Sequence, residues 1–152
     1  MFIIAKRQRS KFNVDTSKKA KEKRTLNGYT FDSDIEYKFY TSLLSQQEKG
    51  LVKDIVIQPK FELQPKYEKL GKKVRPIQYI ADFQVEYSNG DIIIFDVKGM
   101  VTPEFKLKRK IFDYIFPDKI LRCVNFSRLD GGWCDIEDIE KGRKLRKKVK
   151  NS

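Results

Sequence analysis

Three charged side chains stand inside a segment that otherwise has the composition of two buried strands. Residues 77–98 form two runs rich in β-branched and aromatic residues around a Ser-Asn-Gly turn, and these runs contain Asp82, Asp96 and Lys98. Asp is depleted in strands, and a charge that faces a core is costly unless it is paired or binds a metal ion. The three side chains therefore suggest a site that binds a divalent cation and acts on a phosphate ester.

The length of the turn decides whether the two aspartates face each other. A two-residue loop would put Asp82 and Asp96 on opposite faces of the hairpin. A three-residue loop at 88–90, with Gly90 in a left-handed conformation, would place them directly opposite each other. Register normally follows the hydrophobic pattern, and the three-residue loop makes one face wholly apolar. That face would contain Tyr79, Ala81, Phe83, Val85, Ile93, Phe95 and Val97.

A facing pair of carboxylates needs a cation, because like charges directly opposite each other destabilise a sheet. Asp82 and Asp96, with the backbone carbonyl of Val97, could bind Mg²⁺, and Mn²⁺ should substitute for it. Lys98 lies on the same face as Asp96, so it could orient or deprotonate an attacking water and stabilise developing negative charge. Glu36 could bind a second metal ion or hold its water.

Glu36 is predicted to lie on a helix that precedes the hairpin. Ser33 to Glu36 has the form of a capping box, and the apolar stripe that follows predicts a helix to about Glu48, with Gly50 as its stop. On that helix Glu36 lies on or beside the stripe that faces the core.

Each of these residues has a structural alternative. The only role of Glu36 could be a hydrogen bond back to its own N-cap. The two aspartates could be a structural pair neutralised by Lys98 and Arg75. The lysines at 106–110 could be the solvated face of a helix rather than contacts to a phosphate backbone. The sequence leaves all of these alternatives open.

The segment before the hairpin predicts a strand and a loop. Residues 51–63 alternate as a strand that is bent or interrupted at Pro59. One face of this strand would contain Ile55, Ile57, Pro59, Phe61 and Leu63. The lysine-rich stretch 65–75 is predicted to be a solvated loop, in preference to the tip of a hairpin that would place Lys66, Lys69, Lys72 and Lys73 near a ligand.

The elements after the hairpin complete an α/β pattern. Thr102 caps a helix that ends before Pro117, residues 119–126 predict a last strand, and Asp135 begins a C-terminal helix. The order is helix, three strands, helix, strand, which predicts a mixed sheet flanked by helices.

Composition restricts the chemistry. The chain has 152 residues, enough for one domain with one core, and it contains no histidine. Histidine bases and histidine zinc sites are therefore excluded. The two cysteines, Cys123 and Cys134, are interpreted as reduced thiols of a cytoplasmic protein, and no apolar run is long enough to cross a membrane.

The net charge of +12 is concentrated at the two ends of the chain. Residues 1–27 have nine Lys and Arg against two acidic residues, and residues 141–152 have seven against none, so each end carries +7 and the remaining 113 residues carry −2. Basic arms of this kind are typical of nucleic-acid binding, because Lys and Arg release the counterions of the phosphates. A membrane-surface role is less favoured because neither arm has aromatic anchors.

A resemblance to a known superfamily rests on these residues. The spacing of these residues resembles that of the PD-(D/E)XK nuclease superfamily. Asp82 is followed by thirteen residues and then by Asp96-Val-Lys98, and Glu36 lies on a preceding helix. The order of elements resembles the superfamily's restriction-endonuclease-like core, and Ala81 stands where the motif has proline. The resemblance covers roughly residues 29–126. Three stretches are closer still to small phage and prophage proteins of that superfamily, some of them Holliday-junction-resolvase-like: residues 79–83, 96–99 and 105–110.

This resemblance implies a metal-dependent DNA endonuclease. Asp82 and Asp96 would bind the metal ion, Lys98 would be catalytic and Glu36 would support the metal site. The expected organisation is a basic N-terminal arm (1–27), a nuclease-like domain (28–134) and a basic C-terminal helix or tail (135–152).

The expected substrate is branched DNA, in recombination or replication of a phage or prophage inside a bacterial cytoplasm. A homodimer would suit two cuts. A sequence-specific restriction or homing nuclease and an inert DNA-binding protein on the same fold are the alternatives. The residues expected to contact DNA are Lys6, Arg7, Arg9, Lys106, Lys108, Arg109, Lys110, Arg143, Lys144 and Lys147.

Overall fold

The computed structural model describes residues 14–152, and the expected DNA contacts Lys6, Arg7 and Arg9 lie outside that range. The elements follow in chain order: α1 (Lys18–Lys23), β1 (Thr25–Leu26), β2 (Tyr29–Thr30), α2 (Asp34–Glu48), β3 (Val52–Ile57), β4 (Lys60–Gln64), β5 (Tyr67–Lys69), β6 (Lys72–Val74), β7 (Ile77–Ile80), β8 (Phe83–Tyr87), β9 (Ile92–Val97), α3 (Pro103–Ile115), β10 (Ile120–Ser127), β11 (Gly132–Asp135) and α4 (Ile136–Lys150).

The main sheet has five strands in the order β11-β10-β9-β8-β3. The β9–β10 pair is parallel and the other neighbours are antiparallel. α2 packs on one face of this sheet and forms a core with Phe83, Phe95 and Val97. α3 covers the other face and forms a second core around Ile94 and Leu121. The predicted α/β fold with a mixed sheet between helices is confirmed.

The three-residue hairpin loop is confirmed. The Tyr87 N–H donates to the Asp91 carbonyl at 2.8 Å, and the Gly90 N–H donates to the Tyr87 carbonyl at 2.9 Å. Gly90 has a φ of +95°, a conformation in which glycine avoids the steric clash of a side chain. Phe83 pairs with Phe95 in the register that the three-residue loop requires.

The ladder between β8 and β9 ends at Asp82, where the chain bends. The Asp82 N–H donates to the Phe95 carbonyl at 3.1 Å, and the Val97 N–H donates to a carboxylate oxygen of Asp82 at 2.7 Å. Beyond this bend β7 leaves the main sheet and pairs with β4. Tyr79 and Ala81 therefore pack in the second core, so the prediction that they share a face with Phe83 is wrong.

A matching bend divides the predicted strand 51–63. Gln58 has a φ of +51°, and Pro59 separates β3 from β4. The Gln58 N–H donates to the Asp82 carbonyl at 2.9 Å and the Ala81 N–H donates to the Pro59 carbonyl at 3.1 Å, so the two bends are joined. The prediction of one shared face is wrong, because the residues before and after the bend pack in different cores: Ile55 and Ile57 in the first, Phe61 and Leu63 in the second.

Residues 65–75 form a hairpin, so the preference for a loop is also wrong. Lys69 pairs with Lys72 across a turn of Leu70 and Gly71. Both turn residues have positive φ, +52° and +75°. The turn lacks an Asn-Gly or Asp-Gly dipeptide, which is the usual sequence signal for this geometry.

The ends of the described chain are folded against the body. The expected basic N-terminal arm, residues 1–27, includes the helix α1, and Arg24 is only 3% exposed. The Arg24 guanidinium donates to the carbonyls of Phe31 at 2.7 Å and Asp15 at 2.8 Å. α4 begins after its N-cap Asp135, as predicted, and buries Ile139. Within residues 14–152, no helix has the length and apolar character that a membrane span needs.

Candidate functional site

Asp96 is the most deeply buried charged residue of the site. It lies near the end of the central strand β9 and is 1% exposed. The Tyr79 hydroxyl donates a hydrogen bond to its Oδ2. Its Oδ1 is fully buried and accepts no well-oriented hydrogen bond from residues 14–152. That oxygen lies 2.9 Å from the Lys98 ammonium, which makes an ion pair with it.

Asp82 lies at the bend before β8 and is half-buried. Burial, the charge of Asp96 and the charge of Glu36 together raise the pKa of Asp82 to about 9. The hydrogen bond from the Val97 N–H and the charge of Lys98 act in the opposite direction but do not outweigh these effects. Without a further cation, the Asp82 carboxyl is therefore protonated at neutral pH.

Glu36 extends from the first turn of α2, where its N–H donates to the N-cap oxygen of Ser33 at 3.3 Å. The Ser33 hydroxyl donates in turn to Glu36 Oε1 at 3.1 Å. Burial, Asp32 and Asp96 raise the pKa of Glu36 to about 7, against the lowering effects of Ser33 and Lys98. Glu36 is thus bonded to its N-cap residue and is also influenced by the charges of the site.

Lys98 follows β9, and its N–H donates to the Val124 carbonyl at 2.9 Å. Its side chain is 29% exposed, and the ammonium lies 4.7 Å from the centre of the Phe105 ring. Burial alone would lower the pKa of Lys98, but the negative charge of Asp96 outweighs it and raises that pKa. Lys98 is therefore a cation at neutral pH. Arg75, the other expected counter-charge, is exposed and forms no ion pair with either aspartate.

Three cavities meet at Lys98. The first, of about 550 Å³, is the α3–α4 cleft, which is lined by basic side chains of both helices and by three acidic residues, Asp113, Glu137 and Glu140. The second, of about 1160 Å³, contains Glu36. The third, of about 260 Å³, contains Asp96 and Tyr79 beside β7. Lys98 therefore lines all three cavities.

The donor set suits a hard divalent cation, although no ready-made cage exists. Within residues 14–152, no group of three or more Asp, Glu and Cys side chains is arranged to hold a metal ion. The buried Oδ1 of Asp96 nevertheless has only Lys98 as a partner, and the repulsion that raises the Asp82 pKa would be relieved by a bound cation. Carboxylate oxygens are the ligands that Mg²⁺ prefers.

A family model described as "Protein of unknown function (DUF1064)" matches residues 16–128. The chain belongs to the DUF1064 family. The matched range includes Glu36, Asp82, Asp96 and Lys98 and ends before α4. No protein of curated function matches the chain, and no solved structure does.

The expected DNA contacts of this DUF1064 member are divided between the α3–α4 cleft and the outer surface. Lys106, Arg109, Lys110 and Arg143 line the cleft. Arg109 also joins the two helices through Glu137, at 2.6 Å. Lys108 lines the cavity of Asp96 and lies 3.3 Å from Glu104. On α4, Lys144 pairs with Glu140 at 3.1 Å and Lys147 is exposed.

Sequence reasoning missed the role of Tyr79. It was placed on an apolar face, whereas its hydroxyl holds one oxygen of Asp96. The signal that could have revealed it is chemical, because a buried Tyr hydroxyl usually finds a polar partner. The contact also depends on the bend at Asp82, which turns β7 toward the second core.

Proposed function

We propose that this protein is a divalent-metal-dependent DNA endonuclease with a core of the PD-(D/E)XK type. The observation that carries this proposal is the arrangement of Asp82 and Asp96 at the end of the β8–β9 ladder, with Lys98 paired to Asp96 and Glu36 brought in by α2. The elements of the main sheet run α2, β3, β8, β9, α3, β10, and β4–β7 are inserted between the first and second strands.

Some side chains of the site would bind the cation, and Lys98 would contact the phosphate. Asp82 and Asp96 would hold the ion, with the Val97 carbonyl as a further ligand and Glu36 acting through a water. A bound Mg²⁺ or Mn²⁺ supplies Lewis acidity and lowers the pKa of a bound water. Tyr79 keeps Oδ2 of Asp96 fixed, and the other oxygen, Oδ1, would bind the ion in place of its ion pair with Lys98.

Lys98 acts as a charged hydrogen-bond donor. Its raised pKa keeps the ammonium protonated at neutral pH in this structure. It can therefore orient a water or stabilise negative charge on a phosphoryl oxygen, and it is less suited to removing a proton. Its place at the junction of three cavities gives it access to a substrate from the α3–α4 cleft.

The α3–α4 cleft supports a phosphate backbone as the ligand. Five basic residues and three acidic residues line it, so the cleft has a net positive charge, and it reaches Lys98, the partner of Asp96. Contacts to phosphates position a protein on DNA but carry no sequence information directly. We therefore propose selection of DNA by structure, with branched DNA as the first substrate to test.

The test is cleavage of plasmid, flap and four-way DNA with Mg²⁺ or Mn²⁺. Asp82→Asn, Asp96→Asn and Lys98→Met should each lower the rate by about 100-fold or more, because each removes a group that acts on the reacting phosphate. Asp54→Asn, a change at an exposed carboxylate of β3, is the matched control and should cut as the wild type does. Undiminished cutting by the three variants would refute the site.

An inert DNA-binding protein is the second candidate, and the Asp96–Lys98 ion pair favours it. At 2.9 Å the lysine already neutralises the carboxylate that a metal ion would bind. This candidate predicts DNA binding that weakens steeply with salt, no cleavage products at any metal concentration, and no heat of Mn²⁺ binding by calorimetry.

A further inference from the structure

The β-ribbon that leaves the main sheet at Asp82 has a fixed base and a free tip. At the base, β4 packs on α3, where the Phe61 ring lies 5.0 Å from that of Phe112. Beyond β4 and β7, every residue of 65–76 except Val74 is exposed. Leu70, in the turn, is 93% exposed. We call residues 65–76 the tip hairpin.

The tip hairpin is strongly basic. It contains five basic residues and one acidic residue, Glu68, which gives it a net charge of +4. None of these basic side chains forms an ion pair with a described residue. They are Lys66, Lys69, Lys72, Lys73 and Arg75.

Two features of the tip hairpin work against folding. Lys69 and Lys72 stand directly opposite each other, and like charges in that position destabilise a hairpin. Leu70 has a φ of +52°, a conformation that Asn, Asp or Gly adopts at lower cost. An exposed leucine gains nothing from the core in return. The fold does not explain either of these unfavourable features, so we take them as a sign that the hairpin binds a ligand.

We propose that the tip hairpin binds DNA where the base stack is interrupted, with its lysines on the phosphates and Leu70 against an exposed base face. An anionic ligand would remove the repulsion between Lys69 and Lys72. Apolar side chains such as Leu insert between unstacked bases in other DNA-binding proteins. Tyr67, 47% exposed on the same hairpin, offers a ring on which a base can stack.

The tip hairpin is connected to the candidate site by β7. Gln78, Tyr79 and Ile80 of that strand line the cavity that contains Asp96. Asp82 lies eleven positions after Gly71, which corresponds to at most about 36 Å at roughly 3.3 Å per residue. This upper limit is comparable to one turn of duplex DNA, about 34 Å. This inference rests on the proposed function, because the tip hairpin would bind the branch or gap of the same DNA that the candidate site would cut.

The first variant to test is Leu70→Asn. Asn tolerates the left-handed conformation, so this variant should fold at least as well as the wild type. Binding would be measured by fluorescence anisotropy in EDTA, with intact duplex, gapped duplex and four-way DNA of equal length. Leu70→Asn should weaken binding to gapped and four-way DNA by about tenfold, which is a typical loss for one stacking contact. Its affinity for intact duplex should stay within about twofold of the wild-type value.

The second variant tests the charge. Lys69→Gln with Lys72→Gln should weaken binding to all three DNAs and reduce the slope of log K against log salt by about 2. Lys38→Gln with Lys49→Gln, two exposed changes on α2 and at its C-cap, removes the same charge elsewhere and should leave the slope nearly unchanged. The inference would be overturned if Leu70→Asn bound every DNA as tightly as the wild type does. It would also be overturned if the two double variants changed binding equally.

The two proposals fail in different ways. If the wild type cuts branched DNA with Mg²⁺ but the tip-hairpin variants bind and cut normally, the tip-hairpin inference is wrong and the nuclease proposal stands. If gapped DNA binds through Leu70 but no metal ion produces cleavage, the tip-hairpin inference stands and the nuclease proposal is wrong.

Discussion

At the scale of single residues, the site is defined by carboxyl groups that are too crowded to ionise freely. Asp82 has the charges of Asp96 and Glu36 near it and only one backbone N–H donor. Its pKa of about 9 is far above the value of 3.8 that an isolated Asp shows. A divalent cation bound here would replace this repulsion with attraction, and without one the repulsion should affect the stability of the protein.

The first prediction concerns pH and stability. A carboxyl with a raised pKa in the folded state stabilises the fold below its ordinary pKa and loses that contribution as the pH rises through the folded value. Asp82 should therefore make the metal-free protein less stable as pH rises from about 4 to about 9, and Glu36 should act in the same direction up to about 7. The absence of histidine removes the usual competing titration.

The measurement is the melting temperature in EDTA between pH 5.5 and 9. The wild-type value should fall across this range, and Asp82→Asn should make the curve much flatter. Asp54→Asn, at an exposed carboxylate, serves as the control. A wild-type melting temperature that rises from pH 5.5 to 8.5 would contradict the prediction.

The second prediction concerns Tyr79 as a positioning residue. Tyr79→Phe removes the hydroxyl that donates to Asp96 Oδ2 and leaves a buried carboxylate oxygen unsatisfied. The loss should be about 1–3 kcal/mol in the free energy of unfolding. It should also raise the Mn²⁺ concentration needed for half-maximal cleavage, which a purely structural role would leave unchanged. Tyr114→Phe, at a residue 87% exposed on α3, should change neither quantity.

At the scale of elements, the sequence predicted the features that depend on residues close together in the chain. The caps Ser33 and Thr102 accept the expected N–H groups, and α2 and α3 begin where their sequences indicate. The hairpin register followed from the alternation of residues around the 88–90 loop. The joined bends at Gln58 and Asp82 were not predictable in this way, since they depend on hydrogen bonds between segments more than twenty residues apart. The placement of Tyr79 against Asp96 depends on them.

The third prediction tests the loop that sets the register. Gly90→Ala should destabilise the protein by about 1–2 kcal/mol, because Gly90 has a φ of +95° that a residue with a Cβ adopts at a cost. A Cβ at Gly90 would meet no atom within 4 Å, so the penalty is purely conformational. Gly99→Ala, where a Cβ is equally free and φ is not left-handed, is the control. Equal stability of the two variants in urea would refute this account of the loop.

At the scale of the whole molecule, charge is arranged around the junction at Lys98. The α3–α4 cleft brings Lys106 and Lys110 of one helix toward Arg143 of the other. The family match ends at residue 128, so the wall of the cleft that α4 supplies lies outside it. The charge of the sequence predicted a nucleic-acid ligand. Which basic residues of α3 and α4 line one cleft follows only from the packing of α4 in the described chain.

The fourth prediction concerns this cleft. Lys106→Gln and Arg143→Gln should each weaken DNA binding for all sequences, and each should reduce the slope of log K against log salt by about 1. Lys38→Gln, on the exposed side of α2, removes one charge away from the cleft. Salt slopes measured by anisotropy would separate the two cases, and an equal change for Lys38→Gln would show that total charge alone matters.

The central claim is that Asp82 and Asp96 share a divalent cation. A crystal structure of the protein with Mg²⁺ and a DNA fragment tests it most directly. We expect one ion at about 2.0–2.1 Å from an oxygen of each aspartate, with the Lys98 ammonium moved from its present 2.9 Å contact with Asp96 toward the phosphate. An intact Asp96–Lys98 pair, with no ion between the aspartates at saturating Mg²⁺, would contradict it.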